Sequence, residues 1–226
     1  LSAFEGSQRY GESLPLDANL GTGFDKIGFT LPQPVGVVVA ITPFNYPSLL
    51  VLHKVGPALA AGNSVILKPA LAAPLTAIAL AQCFLDAGLP AGVLGVLNGP
   101  GSELGSQLVA DPRVNKVSFT GSTRVGEQIT KTAGIKRLSL ELGASSPVLV
   151  TKHADLEQAA HSITLGGYVN AGQVCIAAQR IIVEESIHDD FLAVLVPKVE
   201  AITIGDPLQD DTMVGTLVSE SEAIRV

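Results

Sequence analysis

Cys175 and Glu141 have side chains that suit nucleophilic catalysis. Cys175 ends the segment Gly172-Gln-Val-Cys175, and a thiol is the best nucleophile among ordinary side chains near neutral pH. Glu141 lies at the end of an otherwise apolar run, where burial would make it a stronger base. Structural alternatives stay open for both, because a free Cys is commonly a small core residue and a Glu at a strand end is commonly solvated. Cys83, inside an Ala- and Leu-rich segment, is expected to be such a core residue.

Two more polar residues follow short apolar runs and lie next to proline. Asn45 lies between Pro43 and Pro47, where a rigid backbone would hold its amide N–H in the direction that an oxyanion hole requires. The alternative is that Asn45 only forms a hydrogen bond within its own turn. Lys68 precedes Pro69, and a cation at this point could contact a ribose or a phosphate. Its alternative is a solvated lysine at the end of a strand.

The segment Ser118-Phe-Thr-Gly-Ser122 suits a phosphate group. An apolar run ends here, Gly121 would let a ligand approach closely, and Ser122 begins a helical stretch. The N–H groups and the dipole at a helix start attract a phosphate, but Ser122 could equally be a plain helix N-cap. The Gly-rich stretch 99–105 lacks the G-x-G-x-x-G spacing. The four His are too dispersed in the sequence to predict a zinc site, so no metal is expected.

Five short apolar runs rich in β-branched residues must position these side chains. They alternate with stretches of helical character, and because they are apolar on both faces, they predict a parallel sheet covered on both sides. In such a sheet, ligands bind at the carboxyl ends of strands. The sequence therefore predicts an α/β fold with a doubly wound, nucleotide-binding type of sheet. The predicted strands are Val35–Ile41, Val65–Leu67, Val93–Leu97, Val114–Phe119 and Arg137–Leu142, and the predicted helices are Ser48–Ala61, Pro74–Ala87, Ser102–Val109 and Ser122–Ala133.

A hairpin precedes this predicted sheet, and part of a second domain follows it. Two alternating runs within residues 11–31 flank a Gly-containing loop, and such a ribbon is marginally stable alone, so it is expected to pack on another chain or segment. We expect a nucleotide-binding domain over residues 1–143 and a partial second domain over residues 144–226. The second domain is predicted to contain strands Pro147–Val150 and Arg180–Val183 and helices Asp155–Val169 and Ile187–Ile202.

Composition and charge argue against several classes of protein. Hydrophobic residues make up 47% of the chain and charged residues 15%, whereas disordered proteins show the reverse. With 21 acidic against 14 basic residues, the chain is a poor candidate for binding nucleic acid or an anionic membrane. Prolines interrupt the uncharged stretch 34–52, which argues against a membrane span. Two Cys and no leader-type start indicate a cytoplasmic protein, and the start at Leu1 leads us to expect a fragment.

Six segments, in this order, resemble the signatures of the aldehyde dehydrogenase superfamily. They are Pro43–Pro47, Gly56–Asn63, Leu67–Ala70, Phe119–Ser122, Leu140–Gly143 and Gly172–Cys175. The resemblance extends along nearly the whole chain, and six motifs in register are far more specific than any one of them. It implies the hydrolytic type of enzyme, which oxidises a small-molecule aldehyde to a carboxylic acid with NADP or NAD. It also implies a Rossmann-like sheet and a homodimer or homotetramer in which the hairpin contacts another subunit.

The resemblance also implies a role for each matching residue. Cys175 would attack the aldehyde carbonyl, and a thiohemiacetal and then a thioester would form on its sulfur. Asn45 and the backbone N–H of Cys175 would hold the oxyanion. Glu141 would activate the water that hydrolyses the thioester, and Lys54 matches a lysine linked to proton movement. The cofactor would contact Thr42, Pro43, Phe44, Lys68, Leu71, Phe119, Gly121, Ser122, Val125 and Leu142.

Two positions depart from the family's pattern. Members that bind NAD often carry Glu three residues after the motif lysine, where it accepts hydrogen bonds from ribose hydroxyls, and this position is Leu71. We therefore expect the protein to accept NADP. The usual Gly-Gly after Glu-Leu is Gly143-Ala144. Two alternatives stay open: a dinucleotide-binding module without turnover, and a CoA-acylating enzyme. Glu141 argues against the second, because that branch has less use for a carboxylate that activates water.

Overall fold

The computed structural model describes residues 2–8, 11–16 and 26–226. The chain divides into two compact units, Leu1–Glu141 and Leu142–Val226, which we call unit 1 and unit 2. Unit 1 contains a five-stranded sheet and unit 2 a two-stranded sheet, and each unit has a hydrophobic core.

Unit 1 begins with a short helix and a two-stranded ribbon. The helix is α1 (Ser2–Ser7), and β1 (Ser13–Leu14) pairs antiparallel with β2 (Gly28–Phe29), as the two alternating runs predict. Residues 17–25 of the connecting loop lie outside the described residues. The ribbon exposes four large apolar side chains, those of Leu14, Ile27, Phe29 and Leu31.

Five parallel strands follow the ribbon. They are β3 (Val37–Ile41), β4 (Ser64–Lys68), β5 (Leu94–Val96), β6 (Lys116–Thr120) and β7 (Arg137–Glu141). Their order across the sheet is β5-β4-β3-β6-β7, so the chain builds outward from β3 and then returns to add β6 on its other side. This order places a topological switch point between β3 and β6, where open α/β sheets bind their ligands. The predicted doubly wound parallel sheet is confirmed.

Helices connect the strands of the sheet. They are α2 (Leu49–Ala60), α3 (Leu75–Asp86), α4 (Ser106–Ala110) and α5 (Thr123–Thr132). A π-type turn, Gly101–Gly105, precedes α4, where the sequence predicts one helix over Ser102–Val109. On one face of the sheet, α2 and α3 pack on β3 and β4 and form an aliphatic core of Val38, Ala40, Val51, Val55, Val65, Leu67 and Ala77.

Cys83 lies on the solvent side of α3, so the prediction that it is a core residue is wrong. The helix buries Ala77 and Ala81, which are one turn apart. Cys83 follows Ala81 by two residues and therefore points about 200° around the helix axis from it. The Ala- and Leu-rich composition of this segment did not reveal which side of the helix is buried.

Asn63 fixes the start of β3 from the loop before β4. Its Oδ1 accepts hydrogen bonds from Val35 N at 2.7 Å and Gly36 N at 3.0 Å, and its Nδ2 donates to Ala58 O at 2.9 Å. Gly36 has φ of 111°, a conformation that favours glycine. For this reason β3 begins at Val37 rather than at Val35, as the apolar run predicts.

Unit 2 contains two parallel strands packed against two helices. They are β8 (Pro147–Val150), β9 (Arg180–Val183), α6 (Leu156–Tyr168) and α7 (His188–Glu200), and both strands have the predicted bounds. Asp155 caps α6, since its Oδ1 accepts from Gln158 N at 3.0 Å. The buried core consists of Val150, Ala160, Ile163 and Phe191. Beyond α7, Ile204 bridges Val214, and the chain continues to a last helix, α8 (Glu220–Arg225).

The helices of the described part of the chain are short. The longest, α6 and α7, have 13 residues each, and none is long and apolar enough to cross a membrane. A transmembrane helix needs about 20 residues.

Candidate active site

Polar side chains lie close together at the carboxyl ends of four parallel strands in unit 1. Thr42 follows β3, Lys68 ends β4, Thr120 ends β6 and Glu141 ends β7. Backbone hydrogen bonds hold these ends in register: Thr42 N donates to Lys68 O at 3.1 Å, and Gly121 N donates to Glu141 O at 3.1 Å. Residues from separate sequence motifs thus share the carboxyl edge of one sheet.

One face of the sheet changes from apolar to polar between β3 and β6. Ala40 pairs with Leu67 on one side and with Ser118 on the other. Because alternate residues of a strand share a face, the residues of β6 and β7 in line with Ser118 form a polar surface. We call this surface the polar face; it consists of Lys116, Ser118, Thr120, Arg137, Ser139 and Glu141. Of these, only Glu141 is predicted from the sequence to be a site residue. The alternation of residues 116–120, Lys-Val-Ser-Phe-Thr, is the signal that would have added Ser118 and Thr120.

Lys54 extends from α2 to the polar face. Its side chain is buried, with 8% exposed, and its Nζ donates a hydrogen bond to Ser118 Oγ at 3.2 Å. Burial lowers the pKa of Lys54 from 10.5 to about 8, the charge of Glu141 raises it in part, and the charge of Lys116 lowers it further. Lys54 is therefore an amine that can both hold and release a proton near neutral pH.

Lys68 is also buried, with 5% exposed, so the alternative of a solvated lysine is wrong. Its Nζ donates to Pro69 O at 3.3 Å, and burial lowers the pKa of its amine. A buried cation whose acceptor among the described residues is a neutral carbonyl would gain from an added polar or anionic partner. This arrangement suits the ribose or phosphate contact that the sequence predicts.

Thr120 places an unsatisfied hydroxyl at the switch point. Its side chain is 7% exposed, and its Oγ1 has no hydrogen-bond partner among the described residues. A buried hydroxyl without a partner costs roughly 1–3 kcal/mol, so a bound group with a polar atom at this point would relieve that cost. The unsatisfied hydroxyl of Thr120 therefore fits the binding of a nucleotide cofactor at the switch point between β3 and β6.

Asn45 forms the hydrogen bond of its own turn, as the structural alternative predicts. Its Oδ1 accepts from Tyr46 N at 3.1 Å, and its side chain is half-buried. The same bond fixes which end of the amide is the acceptor, and so it orients the N–H donors that an oxyanion requires. In the same segment, Thr42 is buried, and Pro43 and Phe44 are half-buried.

Ser122 is the N-cap of α5, because its Oγ accepts from Val125 N at 3.4 Å. Its side chain is exposed, which leaves the start of the helix open to solvent. Gly121 has a packing role: an added Cβ would lie 2.5 Å from Cζ of the buried Phe119 ring. The glycine thus makes room first for a side chain of this protein, whereas the sequence analysis expected it to make room for a ligand.

Glu141 is exposed, so the expected burial of this carboxylate is wrong. It is the last residue of β7, which is an edge strand and therefore has a neighbour on one side only. Leu71, in the turn after β4, has 59% of its side chain exposed. Both side chains are open to solvent at the carboxyl end of the sheet.

Cys175 lies in unit 2 and is half-buried. The turn before it contains three consecutive residues in the left-handed region, Asn170 with φ of 53°, Ala171 with φ of 55° and Gly172 with φ of 71°. The left-handed conformation costs roughly 1–2 kcal/mol for a residue other than glycine. Ser146 Oγ donates to the carbonyl of Cys175 at 3.4 Å. The candidate nucleophile thus follows a strained turn. Unit 2 also contains the half-buried Leu142.

The His, Cys, Asp and Glu side chains of the described residues form no group of three or more that could bind a metal ion.

Comparison with known proteins finds relatives that are named dehydrogenases of aldehydes. The model of the aldehyde dehydrogenase family matches residues 2–226. The 3-sulfolactaldehyde dehydrogenase of Priestia aryabhattai is 48% identical over 100% of this chain and 47% of its own length. The succinate-semialdehyde dehydrogenase [NADP(+)] of Escherichia coli is 40% identical over 99% of this chain and 46% of its own length. The chain thus spans about half the length of these relatives.

Solved structures of similar fold include a crystal structure of an NAD-dependent aldehyde dehydrogenase from Sinorhizobium meliloti. Its TM-score is 0.91 at 38% identity, over 99% of this chain and 44% of that one. A glyceraldehyde-3-phosphate dehydrogenase from Methanocaldococcus jannaschii, complexed with NADP, has a TM-score of 0.88 at 39% identity, over 99% of this chain and 50% of that one.

Proposed function

The chain belongs to the aldehyde dehydrogenase family, and from this premise we propose that the protein oxidises an aldehyde to a carboxylic acid with NADP or NAD. One observation carries the proposal: four of the six motifs lie at the carboxyl ends of the strands in unit 1, where Lys54, Thr120 and Glu141 also lie. These four are Pro43–Pro47, Leu67–Ala70, Phe119–Ser122 and Leu140–Gly143. If Lys54 and Thr120 served only to stabilise the fold, a buried amine and an unsatisfied hydroxyl would not be needed at the switch point of the sheet.

A nicotinamide cofactor would supply the acceptor for the hydride of the substrate carbon, and residues at the carboxyl ends of β3, β4 and β6 would hold it. Lys68 would donate to the adenosine ribose or its phosphate, and the open start of α5 at Ser122 would face the pyrophosphate. The hydroxyl of Thr120 would gain a polar partner. The remaining contacts would come from Thr42, Pro43, Phe44, Leu71, Phe119, Gly121, Val125 and Leu142.

Cys175 would supply the nucleophile. Its sulfur, as the thiolate, forms a bond to the aldehyde carbon, and the carbonyl electron pair moves to the oxygen. The N–H groups of Asn45 and of the Cys175 backbone donate to this oxygen and stabilise its charge. After the hydride has left, the carbon remains attached to the sulfur as a thioester.

Glu141 would release the acid by activating water. The carboxylate takes a proton from water as the oxygen attacks the thioester carbon, and the C–S bond then breaks to regenerate the thiolate. An exposed carboxylate at the end of an edge strand has access to water for this step. The charge of Glu141 already acts on Lys54, whose pKa of about 8 suits it to pass the proton to solvent.

The names of the relatives support a class of substrate. They include dehydrogenases of 3-sulfolactaldehyde, lactaldehyde and succinate semialdehyde, which are small aldehydes with polar groups. We infer that the substrate of this protein is also a small, polar aldehyde.

The test is a panel of such aldehydes with NADP and with NAD, in which reduced cofactor is followed by its absorbance and the product by mass. Cys175→Ser should lose turnover by at least a thousandfold, whereas Cys83→Ser, the same change at the exposed cysteine of α3, should not. Turnover retained in Cys175→Ser would reject the nucleophile. Cofactor binding without turnover would support the binding module, and turnover that requires CoA would support the acylating enzyme.

A further inference from the structure

The side chain of Gln173 joins two segments of unit 2 that are far apart in the sequence. Its Nε2 donates to Asn170 O at 3.1 Å, inside the left-handed turn before Cys175. Its Oε1 accepts from Val218 N at 2.9 Å, 45 residues away. One amide thus links the turn to the segment that leads into α8.

The turn depends on Gln173 because its backbone is strained. Asn170 and Ala171 are left-handed without being glycine, so other contacts must hold them in that conformation. Asn170 O receives two hydrogen bonds from the same residue, since the backbone N of Gln173 also donates to it at 3.1 Å. Val174 N donates to Gly172 O at 2.8 Å and completes the turn.

The far end of the link is itself anchored. Gly205 N donates to Val214 O at 3.1 Å, and Val214 N donates to Thr203 O at 3.0 Å, so residues 203–214 form a closed loop. Ser219, next to Val218, caps α8 by accepting from Glu222 N at 3.3 Å. The amide of Val218 is therefore held between two ordered segments and provides a fixed donor for Gln173.

We propose that Gln173 is a positioning residue that sets the place of Cys175 by tying its strained turn to the amide of Val218. The proposal rests on the proposed function, in which Cys175 is the nucleophile. Gln173 lies two residues before the sulfur-bearing residue, so release of its side chain would change where the sulfur lies. It would act through the turn, without touching the substrate.

Three variants of the intact protein test this proposal. Gln173→Leu removes the side-chain hydrogen bonds to Asn170 O and Val218 N. Gln173→Glu keeps the acceptor for Val218 N and removes the donor to Asn170 O. Gln179→Leu is the matched control, because Gln179 is exposed and lies four residues after Cys175. The readouts are hydrogen–deuterium exchange at Val218 and the rate at which iodoacetamide alkylates Cys175, with Cys83 as the internal reference.

In Gln173→Leu we expect exchange at Val218 to rise at least about fivefold and alkylation of Cys175 to rise about threefold, with Cys83 unchanged. Gln173→Glu should keep the protection of Val218 and still raise the alkylation of Cys175. The kcat for aldehyde oxidation should fall in both variants while KM stays within about twofold.

Unchanged exchange at Val218 in Gln173→Leu would overturn the proposal, and so would raised exchange with unchanged alkylation of Cys175. A general loosening of unit 2 would raise hydrogen–deuterium exchange in α6 and α7 as well as at Val218, and that result would also overturn the proposal. If the proposed function itself fails, either the parent protein will not oxidise the aldehydes of the panel or Cys175→Ser will keep that activity. The exchange and alkylation results still decide whether Gln173 holds the turn.

Discussion

Replacement of Lys54 by methionine should stabilise the protein and impair its activity. Lys54 is 8% exposed, and among the described residues its hydrogen-bond partner on the polar face is the neutral hydroxyl of Ser118. Methionine keeps the length of the side chain and removes the buried charge. The amine that moves a proton in the proposed mechanism is lost in the same change.

The magnitude follows from the pKa of Lys54, which falls from 10.5 to about 8 on folding. At about 1.4 kcal/mol per pH unit, burial of the charged form costs at most about 3.5 kcal/mol. The hydrogen bond to Ser118 returns about 1 kcal/mol, so Lys54→Met should gain about 2.5 kcal/mol at pH 7. Because the folded protein binds fewer protons than the unfolded chain between pH 8 and 10.5, the stability of the parent protein rises over this range. The advantage of the variant therefore disappears as the pH approaches 10.5.

Urea unfolding at a series of pH values from 6.5 to 10.5 measures this effect. Far-UV circular dichroism is the suitable signal, because the chain contains no Trp. Lys131→Met is the matched control, since Lys131 is exposed in the last turn of α5. The advantage of Lys54→Met over the parent in unfolding free energy should fall by about 3 kcal/mol across the series, so that the parent becomes slightly the more stable form near pH 10.5. The difference for Lys131→Met should stay constant. Parallel curves for Lys54→Met and the parent would refute the reasoning.

Four further predictions concern catalysis, cofactor and assembly. Glu141→Gln should leave a pre-steady-state burst of reduced cofactor followed by a much slower steady rate, since the amide cannot accept the proton from water; an unchanged steady rate would reject Glu141 as the base. Loss of activity on alkylation should follow modification of Cys175 measured by peptide mapping, although Cys83 is exposed and also reacts; loss that follows Cys83 alone would contradict this. The ratio of kcat/KM for NADP to that for NAD, measured with one aldehyde, should show that NADP is accepted. A carboxylate at position 71 would repel a 2′-phosphate by roughly 4 kcal/mol at 4 Å and an effective dielectric of 20, and Leu71 does not. A preference for NAD above a hundredfold would contradict the role of Leu71, and Leu71→Glu should move the ratio towards NAD. Aspartate in place of Phe29 on the exposed ribbon should weaken subunit association in analytical ultracentrifugation, and an unchanged sedimentation profile would count against a ribbon contact.

The sheet could be predicted because buried parallel strands leave a strong signal in the sequence. Runs such as the one from Val35 to Ile41 are apolar on both faces, and their spacing leaves room for crossover helices. The exact start of β3 could not be predicted, because it depends on hydrogen bonds from Asn63, which lies 28 residues after Val35. Strand bounds set by such distant contacts are not visible in a local pattern.

The sequence motifs identify candidate site residues, but they do not reveal which of these side chains are buried. The motifs identified Lys68, but whether its amine is solvated or buried depends on the packing around the strand end. The opposite error occurred at Glu141 and Cys83, whose apolar neighbours in the sequence suggested that they are buried. Both are exposed, because Glu141 lies on an edge strand and Cys83 lies on the solvent side of a helix. The contact between Lys54 and Ser118 joins residues 64 positions apart and required the fold.

The strand order also affects how the protein forms on the ribosome. β3 pairs with β4 soon after both are made, but its other edge must wait for β6, and the bond from Val37 N to Asn115 Oδ1 joins residues 78 positions apart. At roughly 5–20 residues per second, this edge stays unpaired for about 4–16 s during synthesis. While it is unpaired, the edge of the segment Val-Val-Val-Ala-Ile can form hydrogen bonds with strands of other chains. The central strand of the finished sheet is thus, in the nascent chain, an apolar edge that a chaperone could shield until β6 is made.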